Sequence, residues 1–204
     1  MEILGKLLGS VSRVKIMRLF LFHPQKVFSY EDVKKRTRVT PATFRKEINL
    51  LLKVGFLEQK EIPADVLLSD GKKVLARKPK VGLKLSPDFP FADPFRTILI
   101  NAETLKKETI AKSLEGVGKL KLVILSGIFI GRDDSRVDLF VVGSKINKKA
   151  FENYMRILES EIGKELAYSV LETDEFAYRY QVHDKLVRDV LDYPHEKLLD
   201  RLNV

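Results

Sequence analysis

Thr40-Pro41-Ala42-Thr43-Phe44-Arg45-Lys46-Glu47-Ile48-Asn49-Leu50-Leu51-Leu52-Lys53-Val54-Gly55 reads as one helix with both ends marked. Thr40 stands at the N-cap and Pro41 at the first helical position, where a missing N–H costs no intrahelical bond. The helix continues to Val54, and Gly55 is the C-terminal stop. Phe44, Ile48, Leu51 and Leu52 fall at i, i+4, i+7 and i+8, so they share one face and point to a core. Ala42, Thr43, Arg45 and Lys46 are left on the outer face near the N-terminus.

The flanks fit around this helix. Residues 10–22 carry a broad apolar stripe of Val14, Ile16, Met17, Leu19, Phe20 and Leu21 beside Arg13, Lys15 and Arg18. His23-Pro24 ends it, because the residue before proline avoids the α region. Val27-Phe28 suits a short strand. Ser29 then caps a short helix to about Thr37, with Glu31 and Asp32 in its first turn. Downstream, residues 56–62 and 74–85 alternate like strands. Between them Ser69-Asp70-Gly71-Lys72 is a turn signal. Lys72, Lys73, Arg77, Lys78 and Lys80 make this hairpin basic, and Lys34-Lys35-Arg36-Thr37-Arg38 is a second basic run.

Charge follows the same division. The chain has 204 residues and a net charge of +9. Residues 1–91 hold 19 Lys/Arg and 9 Asp/Glu, a net of +10, while residues 92–204 hold 18 and 19, a net of −1. Such asymmetry points to a polyanion-binding half joined to a neutral half. Nucleic acid is the expected polyanion, since Lys and Arg gain affinity by releasing its counterions.

Residues 10–86 resemble the winged helix-turn-helix domains of prokaryotic transcription regulators. The likeness is one of layout: helix, short strand, helix, turn, a helix begun by Thr-Pro, then Gly-Phe-Leu and a basic hairpin. It implies that the start of the third helix enters the major groove of double-stranded DNA. Thr40, Thr43, Arg45 and Lys46 would then face the DNA, with Thr43 and Arg45 able to read bases. Arg36, Arg38 and the wing residues Lys72, Lys73, Arg77 and Lys78 would hold phosphates or the minor groove. A homodimer is expected, because one such module offers a small interface.

The expected domains are a DNA-binding unit over 1–88, a Pro- and aromatic-rich connector over 89–118, and a second domain over 119–204. Phe89, Phe91 and Phe95 should anchor the connector, with helical patterns at 94–100 and 104–114. In the second domain residues 120–130 and 137–142 read as strands, the latter ended by Gly143. Asn147 caps a helix to about Ile162 whose stripe is Phe151, Tyr154, Met155, Leu158 and Ile162. Residues 166–171 suit a third strand. Thr173, Asp174 and Glu175 open one long helix to about Leu191. The expected fold class is α+β, with a small mixed sheet in this domain.

Residues 125–139, Leu-Ser-Gly-Ile-Phe-Ile-Gly-Arg-Asp-Asp-Ser-Arg-Val-Asp-Leu, resemble the signature of minimal nucleotidyltransferases of the DNA polymerase β superfamily. That signature is Gly-Ser, then Ala-Arg-Gly, an acidic loop and Ser-Asp-x-Asp-Leu. In the family the turn cradles phosphates with N–H groups and a hydroxyl, and two carboxylates on one strand hold Mg²⁺. Here the Gly-Ser pair is reversed as Ser126-Gly127, the family's Arg falls on Ile130, and the first metal carboxylate falls on Arg136. Ser126, Gly127, Ser135 and Asp138 thus mark a degenerate nucleotide site. The third carboxylate is missing from the stretch Ala167-Tyr168-Ser169-Val170. Asp138 is read as a relict paired with Arg136 or another cation. No catalytic residue, metal or cofactor is expected.

Two functional classes follow. The first is a DNA-binding transcription regulator whose second domain dimerises or senses a ligand, a nucleotide being the candidate. The alternative is a Mg²⁺-dependent minimal nucleotidyltransferase of the toxin–antitoxin type. The absence of cysteine excludes thiolate metal sites and cysteine nucleophiles. His23, His183 and His195 lack metal-ligand spacing. The longest apolar stretch, 122–131, falls short of the roughly 20 residues a membrane span needs. The N-terminus lacks a signal-peptide pattern, so a cytoplasmic location is expected.

Overall fold

A computed structural model describes residues 2–62, 68–69, 72–73, 80–100, 110, 113–114, 116–132 and 134–204. The fold is mixed helix and sheet, in the α+β class. It divides into two compact units. The first comprises Met1–Ile100 with Ser160–Lys164, the second Asn101–Glu159 with Glu165–Val204. Among the described residues no helix is long and apolar enough to cross a membrane.

In the first unit the order is α1 (Glu2–Leu7), α2 (Val11–Phe22), β1 (Phe28–Ser29), α3 (Tyr30–Thr37), α4 (Pro41–Lys53), β2 (Leu57–Ile62), β3 (Leu68–Ser69), β4 (Lys72–Lys73), β5 (Lys80–Leu85) and α5 (Ala92–Ile100). Ser10 and Ser29 cap α2 and α3 by accepting the N–H of Arg13 and Asp32. An antiparallel sheet runs β1-β5-β2, with Phe28 opposite Leu83 and Leu57 opposite Leu85. β3 pairs with β4, Ser69 opposite Lys72; the expected Asp70-Gly71 turn lies outside the described residues. Of the strand expected over 74–85, residues 74–79 lie outside the described residues and Lys80–Leu85 form β5.

Helix α2 is apolar on nearly every side, and such a helix belongs at the centre. Val14, Ile16, Met17, Leu19, Phe20 and Leu21 are all buried there. Phe44, Ile48 and Leu51 of α4 meet them, as do Phe28, Phe56 and Leu83. The stretch expected to be a connector begins inside this core. Leu99 is fully buried, and Phe89 and Phe95 pack against the same cluster. Phe89 also meets Phe56 edge to face, with 5.2 Å between centroids. Helix α5 starts at Ala92, two residues before Pro94, which therefore sits harmlessly in its first turn.

Arg18 carries a charge into this apolar centre. Arg18 is 2% exposed, although the sequence placed it beside the stripe. Its Nε donates to the carbonyl of Leu99 at 2.6 Å, and Nη1 to the carbonyl of Glu161 at 2.8 Å. Both carbonyls belong to last turns of helices, where such groups lack intrahelical partners and the dipole is negative. Burial pushes the guanidinium down to about 10, opposed by the charge of Glu161, so it stays ionised at neutral pH.

The second unit runs β6 (Lys119–Leu125), a 3₁₀ turn (Gly127–Ile130), β7 (Leu139–Ser144), α6 (Lys148–Ile162), β8 (Tyr168–Glu172), α7 (Thr173–Gln181), α8 (Lys185–Asp192) and β9 (Glu196–Asp200). The last turn of α6 is counted with the first unit. The sheet order is β8-β7-β6-β9; β7 and β8 are parallel across the α6 crossover, and the other pairs are antiparallel. Asn147 caps α6 by accepting the N–H of Ala150. Phe151, Met155, Leu158 and Ile162 are buried, and Tyr154 is half-buried.

Four expectations for this unit are corrected. The strand over 120–130 ends at Leu125, because Gly127 (φ +55°) turns the chain into the 3₁₀ segment. Gly143 lies within β7 and does not end it; a Cβ there would come 2.8 Å from the carbonyl of Lys119 on the neighbouring strand. The long helix over 173–191 is two helices. His183 (φ 54°) breaks it, and the Asp184 carboxylate caps α8 through the N–H groups of Leu186 and Val187. β9, unforeseen, adds a fourth strand beside β6.

Replacing Arg18 by alanine leaves the Leu99 carbonyl buried without its Arg18 partner and removes the bond to the part-buried Glu161 carbonyl. We expect a loss of roughly 2–4 kcal/mol in unfolding free energy, measured by urea titration, against a loss below about 1 kcal/mol for Lys46→Ala on the surface.

Candidate functional site

The α3–α4 region presents the first set of candidate residues. The connecting turn is short, because Arg38 adopts the left-handed conformation (φ 53°) and donates its N–H to the carbonyl of Lys34. Arg38, Thr40, Arg45 and Lys46 are exposed, and Arg36 and Thr43 are half-buried. Arg36 lies over the ring of Phe28 at 5.6 Å, and Lys26 lies over it at 5.2 Å. Thr40 holds the N-cap position without making a side-chain cap bond. Its hydroxyl donates instead to Thr43 Oγ1 at 3.0 Å, so the two threonines form one polar edge at the start of α4. The charge of Arg38 reaches Lys15, whose pKa is lowered by burial first, raised by Glu161, and lowered again by Arg38.

The other face of α4 is anchored by more than apolar contact. Glu47 is 2% exposed and bonds Arg13 Nε at 2.8 Å. Arg13 Nη1 also donates to the carbonyl of Leu8, so one guanidinium ties the end of α1 and the start of α2 to α4. Sequence reading missed Glu47, since two partners 34 residues apart on different helices share no spacing rule. Lys72 and Lys73 form β4. Arg77 and Lys78 lie outside the described residues.

The second set of residues does come together. Ser126, Gly127, Ser135 and Asp138 form one knot where β6 leaves the sheet. The Ser126 hydroxyl donates to the carbonyl of Val137. Ser135 Oγ accepts the N–H of Gly127 at 2.9 Å. Asp138 is 8% exposed, and both its carboxyl oxygens are taken: Oδ1 by the N–H of Ile128 at 3.0 Å, Oδ2 by the N–H of Ala167 at 2.9 Å. The expected partnership of Asp138 with Arg136 is not formed. Arg136 bonds Asp189 instead, because Asp138 points inward on β7's entry while Arg136 is exposed.

Beside this knot is a cleft of about 510 Å³, lined in part by Ser126, Ser135, Arg136, Lys185, Asp189 and Tyr193. Arg132 and Asp134 sit at it as a doubly bonded pair, at 3.0 and 2.9 Å. That bonding raises the pKa of the guanidinium and lowers that of the carboxyl. Asp133 lies outside the described residues. Among the described residues no three His, Asp or Glu side chains gather to hold a metal ion. The turn that the nucleotidyltransferase likeness casts as a phosphate cradle spends the N–H groups of Gly127 and Ile128, and the Ser126 hydroxyl, on its own chain.

Comparison with known proteins finds no matching family model, no matching curated protein and no matching solved structure.

Asp138→Asn replaces one acceptor by an NH₂ group facing a backbone N–H. The expected loss is about 1–3 kcal/mol of stability, read by thermal or urea unfolding. Gly127→Ala should be at least as damaging, since its Cβ would lie 2.2 Å from Asp138 Oδ1 at a positive φ. Unchanged stability in both variants would remove Asp138 from its role as a structural tie.

Proposed function

We propose that the protein is a duplex-DNA-binding regulator that reads DNA with the N-terminal face of α4. The observation that carries this reading is the two-sidedness of that helix. Phe44, Ile48, Leu51 and the Glu47–Arg13 pair fix its inner face, while Thr40, Arg45 and Lys46 stand exposed with Thr43 at its start. A helix held rigidly with short polar and cationic groups outward suits base-edge recognition in a major groove. The sheet order β1-β5-β2, set against α2, α3 and α4, supports the winged-helix reading of this unit. The net +10 over residues 1–91 supports a polyanion partner.

In the same reading the second unit is non-catalytic, serving pairing or ligand sensing. The engagement of both Asp138 oxygens by backbone N–H groups supports this, since it turns the carboxylate toward its own chain and away from an open Mg²⁺ position.

The test is selection of a duplex from a random library, followed by anisotropy across a salt series. A selected sequence should bind about a thousandfold more tightly than random DNA. Arg45→Ala should then cost about 1–3 kcal/mol on the selected site and little on random DNA. Arg38→Ala should weaken both alike and flatten the salt slope by about one. Equal loss on both DNAs for Arg45→Ala removes it from base reading. Equal affinity for all sequences rejects a specific regulator.

A further inference from the structure

A sheet edge is a row of unpaired N–H and C=O groups, and folded proteins protect such rows with short strands, charges, proline or irregular pairing. Among the described residues, three of the four outer edges of the two larger sheets carry one of these protections. β1 has only two residues. β2, Leu-Glu-Gln-Lys-Glu-Ile, presents Glu58, Lys60 and Glu61. β9, Glu-Lys-Leu-Leu-Asp, has three charges in five residues, a register irregularity against β6, and Lys197 bonded to Asp200 and to the carbonyl of Val204.

β8 is different. Tyr168-Ser169-Val170-Leu171-Glu172 has no lysine, proline or glycine, and its one charge is at the last position. Its pairing with β7 is regular over all five residues. It lies at the end of the sheet order, and its residues stay solvent-accessible: Tyr168 is 41% exposed, and Ser169 and Val170 are half-buried. Tyr and Val also suit a strand intrinsically. Beside it lies a pit of about 230 Å³ with Phe151, Tyr168 and Val170 on its apolar side.

We propose that β8 is the contact through which two copies of this chain pair, antiparallel about a two-fold axis at Val170. The register makes the strand self-complementary. With Val170 on the axis, Ser169 meets Leu171, and Tyr168 meets Glu172 of the second copy. No like charges stand opposite each other, and a phenol donor faces a carboxylate acceptor. The rim acids do not oppose the approach either, because Glu175 is bonded to Arg179 and Glu152 lies 3.5 Å from Arg156. Such pairing is isologous and closed. It uses up the open edge, and the protected β9 edge prevents growth into a longer array. A second copy is therefore favoured over a foreign strand, because the edge complements itself residue by residue and its one charge, Glu172, meets Tyr168 of the second copy.

The test is sedimentation of the full chain across a concentration series, without DNA, so that its outcome is independent of DNA binding. Wild type should dimerise reversibly. Val170→Lys sets two ammonium groups opposite each other on the axis and should raise the dimer dissociation constant at least about tenfold, with unchanged circular dichroism. Cross-linking decides the matter should that variant fail to fold. The chain has no cysteine, so Val170→Cys gives a single thiol. Opposed residues in an antiparallel pair lie about 4.5–5.5 Å apart at Cα, within disulfide reach. Mild oxidation should yield covalent dimer from Val170→Cys and none from Leu198→Cys on β9. Monomeric wild type at every concentration overturns the proposal. So does a folded Val170→Lys that dimerises like wild type, or equal cross-linking at Leu198.

Discussion

The second unit is organised by one carboxyl group. Asp138 stands at the entry to β7, and through its two oxygens it binds the first N–H groups of two other segments. Its backbone adds to this: its carbonyl accepts the N–H of Ser126, and its N–H donates to the carbonyl of Ala167. The exit of β6, the entry of β7 and the entry of β8 are thus tied to a single residue. Apolar packing alone is non-directional and would leave the relative register of these segments soft. Buried polar groups, fully matched, specify one arrangement because any slip leaves them unmatched. Gly127 follows from the same tie, since any side chain there would occupy the space of the carboxylate.

The first unit solves the corresponding problem with cations. α2 is buried on almost all sides, and its polar groups must therefore find partners within the core. Arg18 finds them in carbonyls at helix ends, Arg13 in Glu47 and the carbonyl of Leu8. These bonds have a consequence for α4. Glu47 lies one helical turn after Thr43, so fixing Glu47 against Arg13 fixes the rotation of α4 about its own axis. The residues left outward are then set by the core, and the exposed Arg45 and Lys46 are presented in a constant direction.

What the sequence reveals and hides follows from the range of the forces involved. Caps are local, and Ser29 and Asn147 were legible because a side chain three residues from its target needs nothing else. The stripe of α4 and that of α6 were legible for the same reason: periodicity is a property of one segment. Thr40 occupies the expected cap position but bonds Thr43, a choice between two near neighbours that spacing does not decide. The break at His183 was hidden because its flanks continue a helical pattern and no glycine or proline marks it. β9 was hidden because Glu-Lys-Leu-Leu-Asp has no alternation; it becomes a strand only because β6 offers an edge. Glu47 and Asp138 show the same limit at the candidate sites. Their residue types were visible, but their partners lie far along the chain or on the backbone, and sequence carries no sign of which backbone N–H will donate.

The two candidate sites also bear on each other through number. A single helix in a single groove makes a small interface, and its affinity for nucleic acid depends strongly on salt. Two copies held in one particle turn the second docking into an intramolecular event, at an effective concentration set by the linkage. The pairing proposed at β8 would supply such a particle whatever the placement of the units within a chain, because it needs only the sheet of the second unit. The neutral half then has a physical reason to exist beside the basic one. A net charge of −1 over residues 92–204 allows two copies to approach without the repulsion that two +10 halves would impose at short range. Net positive charge is thereby concentrated where a polyanion would bind and balanced to near zero where like chains would meet, a separation that the pairing proposed at β8 would use.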